Sequence, residues 1–185
     1  MFNLFRKKEG GYIHALGLSK FWKTVSEEEK DCFKEAFAKT FYPSAFDVEQ
    51  VDGKAHRIET DLSASEFLFK AAVKLTNQKH YGLAEKCLNE AAKKEKSPEK
   101  KHAILNELID VYYKQRMERE DAISKCITIC QKDIQLAPHI LNKEKEMASF
   151  KRLAIIFENE KKYEDAIKVS ELAMRYGLSD GTKGG

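Results

Sequence analysis

A chain of 185 residues with a formal net charge of +3 and 34% charged side chains is long enough to bury a substantial core. Apolar residues make up 42% of it and only 3 prolines occur, which favours a helical fold over a sandwich of short strands. The sequence has neither a run of about 18 apolar residues, as a membrane-spanning helix requires, nor the apolar core of a signal peptide. We therefore expect a cytoplasmic protein.

Positive charge is concentrated in the first 25 residues, where five lysines or arginines accompany Glu9 alone. The rest of the chain is close to neutral, so a general nucleic-acid-binding surface is not expected. Residues 1–8 combine phenylalanine and leucine with Arg6-Lys7-Lys8, a mixture that can contact an anionic membrane. Because this segment is short, we expect its apolar side chains to dock on the protein instead.

The first predicted helix is amphipathic and covers about residues 26–41. Ser26 and Glu29 have the spacing of a capping box, in which each side chain accepts a hydrogen bond from the other residue's backbone amide. The helix should end at Tyr42-Pro43, since the residue before a proline avoids helical geometry. Its apolar face is an aromatic stripe that repeats every fourth residue: Phe33, Phe37 and Phe41.

Residues 44–62 show no clear period and leave two interpretations open. Val48–Val51 and Lys54–Glu59 could pair as a small hairpin around a type I′ turn at Asp52-Gly53. An isolated two-stranded hairpin is only marginally stable, so a long loop is an equal alternative.

The clearest spacing pattern lies between Phe150 and Ala173. Large and small residues alternate on one face of two consecutive helices, which lets the helices approach closely as an antiparallel pair. The same pattern occurs earlier, between Leu68 and Ala91, with aliphatic residues at two aromatic positions. In chain order the anchors are Phe150, Leu153, Ala154, Phe157, Tyr163, Ala166, Ser170 and Ala173, and Leu68, Ala71, Ala72, Leu75, Tyr81, Ala84, Leu88 and Ala91.

These anchors resemble the tetratricopeptide repeat, whose signature is Trp-x2-Leu-Gly-x2-Tyr followed by Ala-x3-Phe and a late proline. The resemblance covers about residues 63–178, which begin with a second capping box, Ser63-x2-Glu66. It implies an all-α fold: a right-handed array of about three antiparallel helix hairpins, or α-solenoid, behind the N-terminal amphipathic helix.

The middle hairpin departs from the family pattern. Its predicted helices, about residues 98–115 and 120–136, match the other hairpins closely only at Ala122. Equivalent alanines are 38 residues apart from Ala84 to Ala122 and 44 apart from Ala122 to Ala166, against about 34 in the family. The helices or the loops are therefore longer here than in the family.

The predicted organisation is an N-terminal segment (1–62), a repeat domain (63–178) and a polar tail (179–185). Gly177 should close the last helix in a left-handed conformation, with Leu178 packing back on the final turn. Solenoid ends normally carry a capping helix with a polar outer face, and none follows here. Either the natural chain continues beyond Gly185 or the C-terminal repeat docks on another molecule, which includes a homodimer with a second copy.

No catalytic, cofactor or metal site is predicted, and we expect the protein not to be an enzyme. The sequence contains no Gly-rich phosphate loop and no nucleophile elbow. Its five histidines are scattered, and its four cysteines lie in helical patterns without metal-ligand spacing, as is typical of small core residues. The cysteines are Cys32, Cys87, Cys126 and Cys130.

The resemblance implies a concave groove lined by the first helix of each hairpin. Where the family's carboxylate clamp has Lys, Asn and Arg, this chain has apolar residues, so the expected guest is an apolar or amphipathic helical segment. That guest is either a protein or peptide partner of unknown identity or the chain's own helix, acting as an internal lid through Phe33, Phe37 and Phe41. The predicted groove residues are Phe69, Val73, Ile104, Leu108, Val111, Lys151, Arg152 and Ile155.

The main functional hypothesis is therefore a non-enzymatic interaction scaffold. The alternative is a regulatory or nucleic-acid-associated protein that uses the basic N-terminus, with the repeats as a sensor or dimerisation module.

Overall fold

The computed structural model describes residues 10–41, 48–54, 57–140 and 147–178. These residues form ten α-helices and one 3-10 turn, with no strand among them, which confirms the all-α prediction. None of the described helices is both long and apolar enough to cross a membrane. The helices are α1 (Gly11–Ala15), α2 (Ser19–Trp22), α3 (Glu27–Phe41), α4 (Ala64–Asn77), α5 (Tyr81–Lys94), α6 (Pro98–Lys114), α7 (Ala122–Ile134), α8 (Ala137–Ile140), α9 (Ala148–Asn159) and α10 (Tyr163–Arg175).

The chain divides into two compact units, Met1–Lys94 and Glu95–Gly185. The first unit contains α1 to α5, and the second contains α6 to α10. The N-terminal helices therefore share a unit with the first hairpin, α4 and α5, whereas the sequence analysis grouped all three hairpins in one domain. The reason is that α3 packs directly on α4 through its aromatic face.

Aromatic rings form the core of the first unit. The side chains of Phe33 and Phe37 are fully buried, and their ring centroids lie 5.5 and 4.7 Å from that of Phe67 in α4. Tyr12 of α1 stacks on Phe67 at 5.5 Å, and Trp22 of α2 meets Phe33 edge-on at 5.2 Å. Burial of so many rings makes the N-terminal helices a structural part of this unit. The side chain of Phe41 lies outside the described residues.

Of the two alternatives for residues 44–62, the described residues do not form the hairpin. Val48–Gln50 is a 3-10 turn, and neither residues 48–54 nor residues 57–62 contain a strand. Val51 is buried, and its carbonyl accepts a hydrogen bond from the Ile13 amide at 2.9 Å. Gly11 makes this approach possible, because a Cβ there would clash with the Gln50 and Val51 carbonyls. Contacts with α1 thus replace the cross-strand pairing on which the hairpin prediction depended.

The second unit is built from two helix hairpins, α6 with α7 and α9 with α10. Helix α7 also contacts α9, and α6 contacts both α8 and α9. An apolar cluster joins α8, α9 and α10 and includes Phe150, Met147 and Leu178. The middle and last hairpins are therefore held together by the contacts of α9 with α6 and α7 and by this cluster.

Helix boundaries agree with the local signals in the sequence. The Ser26 amide donates to Glu29 Oε2 at 3.0 Å and the Glu29 amide to Ser26 Oγ at 3.2 Å, so this capping box is complete. Ser63 Oγ likewise accepts from the Glu66 amide at 3.1 Å. Gly177 has φ 74°, and the Leu178 amide donates to the Ala173 carbonyl at 3.1 Å. This is the Schellman cap predicted for the last helix.

Candidate functional site

Three of the predicted groove residues are core residues instead. Ile104, Leu108 and Val111 of α6 are buried to 1% exposure or less, so a partner could not reach them in this structure. The prediction of an open groove at these positions is wrong, because they lie on the buried face of α6.

The other predicted groove residues are more accessible and are divided between the two units. Phe69 and Val73 are half-buried residues of the first unit. In the second unit Arg152 and Ile155 are half-buried, whereas Lys151 is exposed. Residues 1–8, on which the membrane alternative depends, lie outside the described residues. The nucleic-acid alternative depends on the basic residues among the first 25, of which Lys20 and Lys23 are described and exposed.

Within the second unit, the ends of α6 and α9 and the start of α7 line an open, mostly apolar pocket of about 230 Å³. Its apolar lining residues are Tyr113, Ile123, Ile156 and Met117, and Met117 is 86% exposed. A large apolar side chain that is exposed to water beside a pocket indicates a binding site, because a bound partner removes its apolar surface from water. The remaining lining residues are Arg116, Asn159 and Glu160.

Two arginines stack on the same aromatic ring beside this pocket. The guanidinium carbon of Arg152 lies 3.8 Å from the centroid of Tyr113, and that of Arg116 lies 4.2 Å from it. Arg116 also donates to the Tyr113 carbonyl at 2.8 Å, and Arg152 lies 3.8 Å from Asp110. Contact with the ring holds both guanidinium groups near the pocket, and a guanidinium has five N–H donors, more than these contacts use.

None of the predicted groove residues lines this pocket, and only Arg152 lies beside it, on Tyr113. Arg152 was predicted as a groove charge, and the structure brings it to Tyr113 rather than to Ile104 or Leu108. Arg116, Met117 and Ile123 were missed because they lie at or near the α6–α7 turn, where the family pattern gives no anchor. The adjacent Arg116 and Met117, just after the last residue of α6, were the feature of the sequence that could have indicated this pocket.

A buried polar network crosses the same unit. His102 Nδ1 lies 2.8 Å from Asp133 Oδ1, and Asn106 Nδ2 lies 3.0 Å from His102 Nε2. Asp133 is fully buried, and its second oxygen has no hydrogen-bond partner. Since these groups are enclosed between α6 and α7, the network joins the two helices rather than facing a ligand.

The cysteines behave as the sequence analysis predicts for core residues, except that Cys32 is only half-buried. Cys87, Cys126 and Cys130 are buried, and burial raises the pKa of the Cys87 thiol above its usual range. Among the described residues no group of three or more His, Cys, Asp or Glu side chains could hold a metal ion.

Comparisons with protein-family models, with curated proteins and with solved structures find no match to this chain. The resemblance to the tetratricopeptide repeat therefore depends on the anchors and helix hairpins of the chain itself.

Proposed function

We propose that this chain is a non-enzymatic protein-interaction module, built from tetratricopeptide-like hairpins, whose C-terminal unit binds an amphipathic helical segment of a partner. The apolar pocket between the ends of α6 and α9, with two guanidinium groups stacked at its edge, is the observation that supports this proposal.

The pocket suits a guest with one apolar and one acidic face. Met117, Ile123 and Ile156 offer apolar contacts to one or two anchor side chains of a helix. Arg116 and Arg152 can each donate to a carboxylate one helical turn away from such an anchor. A guest with both features gains affinity from the anchor and orientation from the charges.

Selection of helical peptides from a display library tests this function. With the full chain as bait, the selected peptides should carry a large apolar residue with Asp or Glu three or four positions away. Met117→Asp should reduce their affinity about tenfold or more, because it places a charge at the apolar mouth of the pocket.

Charge reversal separates a specific site from general attraction. Arg116→Glu should weaken the selected peptides strongly, whereas Lys132→Glu, an equal charge change on the exposed face of α7, should have a small effect. Equal losses from both variants, or selected peptides without the apolar-acidic pattern, would exclude the proposed site.

A further inference from the structure

Helix α10 carries a strip of large apolar side chains that point into solvent. Tyr163, Ile167 and Met174 are 60%, 57% and 56% exposed. Half-buried Ser170, which is also a repeat anchor, lies between this strip and the buried face and completes a spacing of four, three and four residues. This spacing places the strip along one side of the helix. This face differs from the buried face, where Ala166 and Ala173 pack inward.

The hairpin itself does not require Ile167 and Met174. Helix α5 occupies the same position in the first hairpin, and its residues at the positions of Tyr163, Ile167 and Met174 are Tyr81, Glu85 and Ala92. Ser170 corresponds to Leu88, which is fully buried. Ile167 and Met174 therefore stand where α5 has a charged and a small residue. Apolar side chains that serve no packing within the unit indicate a surface that another molecule covers.

The charges beside the strip identify that molecule. Glu164, Lys168, Glu171 and Arg175 each directly follow a residue of the strip, and all four are exposed. From the N-terminal to the C-terminal end of α10 their charges are negative, positive, negative and positive. In the reverse direction each position therefore has the opposite sign. An antiparallel copy of the same helix therefore presents a positive charge to every negative one.

We propose that α10 is a self-association site, in which it packs antiparallel against α10 of a second copy around a two-fold axis near Val169 and Ser170. In this arrangement Glu164 faces Arg175 of the second copy, and Lys168 faces Glu171. Antiparallel helices bring the same flank of each helix together, so these pairs form on one side of the apolar seam. The Lys168 ammonium also lies 3.3 Å from Asp165 of its own helix. Because this pair is exposed, Lys168 can contact both Asp165 and Glu171 of the second copy.

A parallel pair of α10 helices is not favoured by the same charges. Two parallel copies related by a two-fold axis place identical residues at one level and turn the charged flank of each away from that of the other. In a parallel pair these four charged residues would then form no ion pairs between the two copies. The proposed surface shares no residue with the apolar pocket, so self-association and peptide binding can be measured separately.

Sedimentation equilibrium of the full chain tests the proposal at protein concentrations from about 10 to about 500 µM, the range in which a small interface dissociates. We expect a reversible monomer–dimer equilibrium. Ile167→Glu should abolish it, because the substitution places two like charges in the apolar seam. Glu164→Arg and Arg175→Glu should each weaken it about tenfold, since each creates two repulsive pairs per dimer.

Mixing the two charge variants gives the decisive measurement. The heterodimer of Glu164→Arg with Arg175→Glu contains only attractive pairs, so the mixture should associate as well as the original chain. Glu35→Arg, an equal charge change on exposed α3, serves as the control and should have no effect. A chain that stays monomeric, single reversals without effect, or a mixture that does not recover would each overturn the proposal.

Discussion

The first and last hairpins have the same turn but different surroundings. The segments Asn77–Tyr81 and Asn159–Tyr163 share asparagine, lysine and tyrosine at equivalent positions. In both, the central lysine adopts a left-handed conformation, with φ 65° at Lys79 and 61° at Lys161. The amide of the next residue donates to the carbonyl five residues back, at 2.9 and 2.8 Å. The same turn conformation therefore connects the two helices of both hairpins.

Residues between the shared anchors determine what packs against each hairpin. Phe67 in α4 lies in the aromatic core of the first unit, whereas the equivalent residue in α9 is Ser149. Ser149 is fully buried, and its hydroxyl has no hydrogen-bond partner. At this position the first hairpin has a ring that packs against α1 and α3, whereas the last hairpin has a small polar side chain.

The second helices differ in the same way. Lys86 of α5 binds Glu29 of α3 at 2.7 Å, whereas its equivalent in α10, Lys168, pairs only within its own helix among the described contacts. The outer side of the first hairpin is used by the chain itself, and that of the last hairpin remains exposed. The repeat pattern therefore specifies a hairpin but not which other helices pack against it.

Phe67→Ala should produce the largest effect, because it removes the ring on which Tyr12, Phe33 and Phe37 converge. We expect the free energy of unfolding of the first unit to fall by about 3–5 kcal/mol. Urea unfolding followed by tryptophan fluorescence measures this unit through Trp22, which contacts Phe33. Ser149→Ala, at the equivalent position, should be neutral or slightly stabilising, since it removes an unpaired buried hydroxyl. Equal losses from both variants would remove the distinction between the hairpins.

Asp133→Ala should destabilise the second unit by about 3 kcal/mol, because it leaves the buried ring of His102 without its carboxylate partner. The middle hairpin has this polar network in place of a close match to the repeat anchors. Chemical denaturation of a double-mutant cycle with His102→Ala measures the coupling. The double variant should lose less stability than the two single losses added together, and simple additivity would contradict a direct interaction.

Lys161→Gly should stabilise the last hairpin by about 0.5–1 kcal/mol, because a left-handed conformation strains a residue with a Cβ. Thermal unfolding measures the difference. The matched control is Glu160→Gly, where φ is −82° and glycine only adds freedom to the unfolded chain. The control should not be stabilising, and Lys79→Gly should repeat the gain in the first hairpin if the two turns are equivalent.

Acidification should weaken the first unit slightly through Glu29. Burial by itself raises the pKa of Glu29, but hydrogen bonds from Lys86 and the Ser26 amide outweigh it and hold the pKa below its ordinary value of 4.5. A lowered folded-state pKa means that the pair stabilises the fold above the unfolded value and loses this contribution as the pH falls through the folded one.

The expected loss is about 0.5 kcal/mol, because both side chains of the pair are partly exposed to solvent. Urea unfolding at neutral pH and near pH 3, which is about 1.5 units below the ordinary glutamate pKa, measures it. Glu29→Gln should make the pH dependence smaller, and Glu28→Gln, on the exposed neighbour, should not. An unchanged dependence in Glu29→Gln would show that other carboxylates are responsible.

Much of the secondary structure could be predicted because its causes are local. The Ser26 and Ser63 caps and the Gly177 cap each depend on hydrogen bonds that span five residues or fewer. The aromatic stripe of α3 was correctly predicted as a face to bury. Its partner, Phe67, was missed because it is adjacent to the repeat anchor Leu68 and plays no part in the family spacing.

The candidate site was much harder to predict than the helices. Helical phase placed Ile104 and Leu108 on an open face, but phase alone does not state how many neighbours surround a helix. Arg116 and Arg152 meet at Tyr113 although they are separated by the whole of α7 and α8. Such a pairing depends on how α6 and α9 pack, which no short pattern specifies.

By itself, the sequence determined where α3, α4 and α6 begin, where α10 ends and that the first and last hairpins share one spacing pattern. Capping, turn chemistry and helical period are interactions between residues a few positions apart, so they are readable before the fold is known. Only the tertiary structure decided the division after Lys94, the burial of α6 and the bond from Trp22 to Asp52, 30 residues away. These features depend on which faces meet, and that choice is made by the summed packing of whole helices rather than by any single stretch of the chain.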